Sequence, residues 1–372
     1  MLNARQLLPL LLLSLVAAPA CDEASVDDPY RGEPSPEEVF GADFRGWGYG
    51  ESGARLNTNV VEGDNINTIR FGALSMYGSK ISGIFNTITG EWLDMSTVEV
   101  VDGAIRGTTE GGVALDAFGF DESFWLVDVD GVDVVMILEE VRYASEVGLA
   151  NYGSKMMTNI DPSRIVYRFN SYEAPAAGTK VDPKTGWGGT WDGTHTCATD
   201  PRGGAWSVMY RALLVNEATG DVSDANWAPK EYAYIACLSG RIGKTAMWGY
   251  AFDNPSVNRP DISLSEFEAA HRMVGAEYCG DGKSWTKPGE AVTIKDKWSI
   301  NQFAGDPISE EAVWSKDGGA LCVGSPRFEI YKAVNVICNG VALPTCSTEP
   351  QAQAKYNLAG AKWWTRNAWF ED

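Results

Sequence analysis

Six of the seven cysteines fall between Cys197 and Cys346, and the seventh, Cys21, follows an apolar leader. In an exported chain this distribution staples the C-terminal half and leaves the residues before it to hold together by core packing alone. Leu7–Ala18 is apolar, preceded by Arg5 and followed by Ala18-Pro19-Ala20-Cys21. It is too short to span a bilayer and has the form of a secretory signal peptide, residues 1–20. Ala18-x-Ala20 satisfies the ordinary small-x-small cleavage rule, and a small residue directly before Cys21 fits a bacterial lipobox lacking its usual leucine. Cysteine parity favours the lipobox: with lipid on Cys21, Cys197, Cys237, Cys279, Cys322, Cys338 and Cys346 can pair as three disulfides. Residues 21–44, rich in acidic side chains and proline without a periodic apolar face, read as a disordered tether.

From residue 45 to 172 the chain alternates apolar and polar residues between glycine turns. Val98–Val101 meets Asp102-Gly103, and Phe124–Val129 meets Asp130-Gly131 before Val132–Leu138 returns, so both Asp-Gly pairs predict hairpins. Arg164–Phe169 is a further strand. This region is expected to be an antiparallel β domain, sandwich-like or barrel-like. Residues 173–372 are expected to form a disulfide-stapled α+β domain, making the whole chain α+β. Its strands are read at Trp206–Val215 and Glu231–Leu238. Helices are expected from Ser263 to a stop at Gly280, from Ser309 through Ala312–Trp314, over Phe328–Cys338 with Asn339-Gly340 as its stop, and from Thr348 to about Leu358. The best marked is the first. Ser263 and Glu266 have capping-box spacing, and Leu264, Phe267, His271, Val274 and Tyr278 share one face. Gly280 is expected to stop this helix, with Cys279 in its last turn.

The formal charge of −20, from 30 basic and 50 acidic side chains, argues against nucleic acid and against basic-patch binding of anionic lipid. The two histidines, His195 and His271, lack metal-ligand spacing, and no metal or cofactor is expected. His195, in a loop, is weighed as a general base against a plain loop polar group. His271, on the apolar stripe, is read as a core histidine, with Thr245 as a candidate partner. No nucleophile elbow, Walker loop or dinucleotide fingerprint is present. Glu277 and Asp281 could act together as glycosidase-type carboxylates. The favoured reading turns Glu277 to solvent and uses Asp281 to shape a turn. Asp128–Asp133 begins like a calcium loop but is better explained as a hairpin. The chain has 14 tryptophans and 14 tyrosines. Trp47, Tyr49, Trp187, Trp191 and Trp285 lie near glycine-rich loops, where exposed rings beside carboxylates can stack on sugars.

Ala276, Tyr278, Cys279, Gly280, Asp281 and Gly282 resemble the motif of the ADYC domain, found in predicted secreted lipoproteins of myxobacteria and their relatives. Ala236-Cys237, Gly240, Ile242-Gly243-Lys244, Trp248-Gly249-Tyr250, Arg272-Met273-Val274 and Gly318–Val323 extend the resemblance over about residues 190–372. Glu277 stands where relatives carry aspartate, and Thr245 and His271 where they usually carry cysteines. The resemblance implies a compartment and a fold more than a reaction. The expected role is an envelope-anchored lipoprotein, non-catalytic, acting in binding or as a structural part of the cell surface. Its partners would be the membrane through its lipid and an envelope polysaccharide or another surface protein. The alternative is a secreted hydrolase using Glu277 with Asp281, or His195, in an inter-domain cleft. The pairings expected are Cys338–Cys346 and Cys279 with Cys322 or, second, with Cys237.

Overall fold

The computed structural model describes residues 56–57, 66, 68–72, 79–129, 132–147, 159–172, 195–198, 204–216, 219–225, 230–253, 256, 260–286, 292–303, 307–327 and 335–368. The expected leader, the tether and Cys21 lie outside them, as do Trp47, Tyr49, Trp187 and Trp191.

Among the described residues twelve strands precede the first α-helix: β1 (Thr68–Phe71), β2 (Ser79–Asn86), β3 (Glu91–Val101), β4 (Ala104–Thr109), β5 (Ala114–Leu115), β6 (Ser123–Val129), β7 (Val132–Tyr143), β8 (Ile165–Tyr172), β9 (Trp206–Arg211), β10 (Leu213–Val215), β11 (Val222–Asp224) and β12 (Tyr232–Cys237). Seven of them close a barrel in the order β1-β12-β9-β8-β7-β6-β2, with β2 returning to β1 in a parallel pairing. Every other neighbour in the barrel is antiparallel. Closure pairs the two strands that would otherwise be sheet edges. Strand alternation fills the interior: Ile84, Trp125, Val127, Met136, Leu138, Tyr167, Phe169 and Ile235 are all buried in one cluster.

The first Asp-Gly signal holds, and the second, Asp130-Gly131, lies outside the described residues between two paired strands. Asp102 and Gly103, at φ 49° and 75°, make the tight turn between β3 and β4. Val129 pairs with Val132 across the second hairpin, and Asp128 with Asp133, so this stretch is the hairpin the alternation predicts. The barrel is not complete at residue 172, because β9 and β12 come from beyond it. Local pattern marks those segments as strands but carries no information about which sheet receives them.

The C-terminal sheet has the order β13 (Val292–Asp296), β18 (Ala361–Ala368), β14 (Pro307–Ser315) and β15 (Ala320–Val323), all antiparallel. Among the described residues three α-helices accompany it: α1 (Arg241–Met247), α2 (Leu264–Val274) and α3 (Glu349–Tyr356). The helix from Thr348 is α3, with the capping box its sequence carries. A continuous core joins Val208, Tyr210, Tyr234 and Ala236 of β9 and β12 to Phe267, Ala270 and Met273 of α2 and to Trp314 and Trp363 of the C-terminal sheet. These barrel residues alternate with inward-facing Met209 and Ile235, so the barrel's outer wall is part of the second core.

One expected helix is overturned, and a second is overturned at its end. Ser309–Trp314 lies in β14, where pairing with β18 through three register shifts outweighs the helix preference of Glu310-Glu311-Ala312. Residues 328–334 are outside the described set, and the end of that expected helix, Ile337–Cys338, is strand β16. It pairs with β17 (Val341–Ala342) across Asn339-Gly340 at φ 50° and 81°, a hairpin turn and not a helix stop.

The disulfides among the described residues are Cys197–Cys237, Cys279–Cys338 and Cys322–Cys346. The expected Cys338–Cys346 loop is therefore wrong, as are both expected partners of Cys279. The error follows from the helix misassignment: on a strand, Cys338 turns toward the segment after α2, while Cys346 meets β15.

Candidate functional site

The motif region begins with a capping box. The Ser263 hydroxyl accepts the Glu266 N–H at 3.3 Å, and the Glu266 carboxylate accepts the Ser263 N–H at 3.1 Å. The helix then ends at Val274, well before the expected stop at Gly280. Ala276 adopts φ 52°, its N–H donates to the Met273 carbonyl at 3.0 Å, and the Glu277 N–H donates to the Arg272 carbonyl at 2.9 Å. This is a Schellman termination with alanine in the left-handed position usually given to glycine. Glycine is used one residue earlier for a steric reason. A Cβ on Gly275 would collide with the side chain of Arg241, reaching Cδ at 2.5 Å.

The termination folds Glu277 back into the protein. Its side chain has no exposed surface, Arg241 Nη1 donates to Oε1, and Arg272 Nη1 stands 3.7 Å from Oε2. The expectation that Glu277 faces solvent is thus overturned, because the turn after Ala276 reverses the chain. Burial pushes the Glu277 carboxyl above its ordinary pKa against the opposing pull of Arg241 and Arg272. Arg272 is also tied down by the Gly280 carbonyl, Asp221 and Glu268. His271 is fully buried, as its place on the apolar stripe predicts. Burial, followed by the charges of Arg241 and Arg272, holds its pKa well below 6.5, so the ring is neutral. Thr245 donates to the Arg241 carbonyl at 2.8 Å within its own helix, and this bond takes the place of the expected one to His271.

Tyr278 is buried against Trp314 in a stacked contact, with Trp285 at its edge. Its hydroxyl donates to Glu311 Oε1 at 2.9 Å and accepts the Arg327 backbone N–H at 2.7 Å. Arg327, itself fully buried, pairs with Glu311 and donates to the Met273 and Val274 carbonyls at the end of α2. Cys279 is bridged to Cys338, and the Ala320 N–H donates to the Tyr278 carbonyl at 2.8 Å. Gly318 and Gly319, at φ 81° and 74°, pass close enough to Gly280 that a Cβ there would lie 3.3 Å from Gly319 N. The separate strings Ala276–Gly280 and Gly318–Val323 therefore meet around one turn, with Arg241 of α1 reaching in from a third.

Within Ala276–Cys279, Ala276 reverses the chain, Glu277 forms the ion pair, Tyr278 is a buried polar anchor and Cys279 closes a disulfide. Asp281 is exposed and accepts the Lys283 N–H at 3.2 Å, shaping the next turn. Glu277 and Asp281 do not face a common open cleft, since Glu277 is enclosed. His195 lies elsewhere, bridged to Asn170 beside β8 and bonded to the Asn170 side chain through Nδ1. Trp285 is half-buried on Tyr278 and packs against the core. No cluster of potential metal ligands occurs among the described residues. Sequence reading missed Arg241, Glu311 and Arg327, whose partners lie 36, 33 and 49 residues away and carry no local pattern.

No curated protein matches this chain, and no solved structure does. The ADYC domain family matches residues 154–329, a span that takes in β8, β9 and β12 of the barrel, α1, α2 and β13 through β15. The match starts within the barrel and stops before α3, where the resemblance in sequence alone suggested about 190 to the C-terminus. Residues 154–329 are an ADYC domain.

Proposed function

We propose that this chain is an envelope-anchored lipoprotein, held by lipid on Cys21, with a non-catalytic role in binding or in the structure of the cell surface. The observation that carries the reading is the pairing of all six downstream cysteines, which leaves Cys21 as the odd one. Three disulfides suggest an oxidising, extracytoplasmic location. The non-catalytic part is supported by the motif: its carboxylate is enclosed by two arginines, its tyrosine hydroxyl both donates and accepts, and its cysteine is oxidised. None of the three is poised as an acid, a base or a nucleophile.

Expression of the chain and its Cys21→Ser variant in a bacterium with lipoprotein processing, fed an alkyne-tagged fatty acid, tests the anchor. The parent should carry the tag and fractionate with membranes, and the variant should do neither. Equal fractionation of both, without the tag, would refute the anchoring.

A further inference from the structure

One concave surface lies outside the motif region, where two strands part. β2 and β3 pair only at Phe85↔Trp92 and Asn86↔Glu91. Past Trp92, β3 continues against β4 with a register shift between Asp94 and Glu99, while β2 runs on to its parallel pairing with β1. The strands fork, and the far end of the fork is closed where Gly72 lies against Met95, a Cβ at Gly72 reaching Met95 Cβ at 3.3 Å. Between them is a solvent-open cavity of about 600 Å³. That volume suits a small ligand.

The lining is aromatic on its floor and acidic at its rim. Gly83 pairs with Leu126 on the barrel's outer face, and a Cβ there would lie 3.0 Å from the Trp92 indole. Glycine is what lets the ring lie across β2. Phe85 holds the half-buried indole edge-on, with centroids 5.4 Å apart. Asp94 and Glu110 are exposed lining residues. Asp94 Oδ1 accepts the Ser96 N–H at 3.0 Å and its hydroxyl at 2.6 Å, which fixes the carboxylate and leaves the other oxygen for a ligand. The Glu110 N–H donates to the Trp92 carbonyl at 2.8 Å, which places the backbone of residue 110 beside the strand that bears the ring. Among the described residues no lysine or arginine lines the cavity.

An oriented indole face beside one held carboxylate and a second exposed one matches a pyranose, whose C–H face stacks on the ring while its hydroxyls donate to carboxylates. Two carboxylates without a cation disfavour uronates and phosphosugars. We propose that the fork between β2 and β3 is a binding subsite for a neutral pyranose glycan, with Trp92 as the stacking platform and Asp94 and Glu110 as hydroxyl acceptors. The proposal rests on the binding role given above and names its site.

The test titrates the full chain in detergent with triacetylchitotriose and maltotriose, with trigalacturonate as the anionic counterpart, by calorimetry and tryptophan fluorescence. At least one neutral trisaccharide should bind saturably, and Glu110→Gln and Trp92→Leu should each weaken it about tenfold, the scale of one hydrogen bond to a charged group or one stacked ring. Glu110→Gln changes an exposed side chain and keeps its backbone bond, so loss of binding there is not unfolding. Trigalacturonate should bind at least as weakly as the variants bind the neutral sugar. The subsite is overturned if neither neutral trisaccharide binds, if the variants bind like the parent, if trigalacturonate binds equally well, or if an extended strand-forming peptide occupies the fork instead. A lipidated chain that binds no sugar overturns the subsite alone, and a sugar-binding chain without lipid overturns the anchor alone.

Discussion

Arg241, the first residue of α1, reaches across to Glu277, two residues beyond the C-cap of α2, and the two side chains are 5% and 0% exposed. A cation at a helix N-terminus opposes the helix dipole, so its placement is explained by the carboxylate it meets. Removing that carboxylate's charge strands Arg241 in the interior, while Arg272 keeps Asp221 and Glu268. Glu277→Gln should therefore lower unfolding free energy by about 3 kcal/mol, the usual cost of breaking a buried pair from one side. Urea denaturation checks this, and a loss below about 1 kcal/mol would show that water already reaches the cluster.

Gly275 and Ala276 make a paired prediction. Gly275 has φ −79°, which any residue adopts, so a substitution there acts only through the clash with Arg241. Gly275→Ala should cost about 1 to 3 kcal/mol by overpacking. Ala276→Gly relieves a left-handed alanine while adding chain entropy to the unfolded state, and should stay within about 1 kcal/mol of the parent. Melting curves of the two variants should differ in this order.

Tyr278→Phe keeps the ring stacked on Trp314 but removes the acceptor of the buried Arg327 N–H. A cost of about 1 to 3 kcal/mol is expected for the donor left unmade. Hydrogen exchange should place the loss at Arg327 and the end of α2, not in the barrel.

His271 gives the fold a pH dependence with a defined sign. The unfolded ring takes a proton near 6.5, and the folded ring, beside Arg241 and Arg272 with Glu277 between them, resists it. Below that pH the unfolded state binds more protons, so stability contributed by His271 is complete above 6.5 and declines as pH falls beneath it. Its contribution to the slope approaches about 1.4 kcal/mol per pH unit. Denaturation midpoints of the parent and of His271→Gln, measured from about pH 7.5 down to about 5, should diverge in slope even if the variant is less stable throughout.

What sequence made legible was local. The capping box at Ser263, the Asp102-Gly103 turn and the helix after Thr348 each depend on residues within a few positions, and each is found. Failures came where a distant partner decides. Ser309–Trp314 has helical composition, yet β18 recruits it as a strand, and once Cys338 sits on a hairpin the disulfide pattern changes. The apolar period through Tyr278 continued past the real helix end because Tyr278 is also buried, after a chain reversal that burial alone does not reveal. The fork under Trp92 depends on the register of β2 against β3, which no single stretch encodes.

The central claim is tested most directly by intact mass of the protein taken from membranes, recorded with and without reduction after alkylation of free thiols. The expected result is lipid mass on the N-terminal peptide beginning at Cys21, no alkylated cysteine before reduction, and six after it, in agreement with three disulfides. A chain whose Cys21 is alkylated without lipid would contradict the anchor, and a native Cys279 that takes the label would contradict the structural reading of the motif.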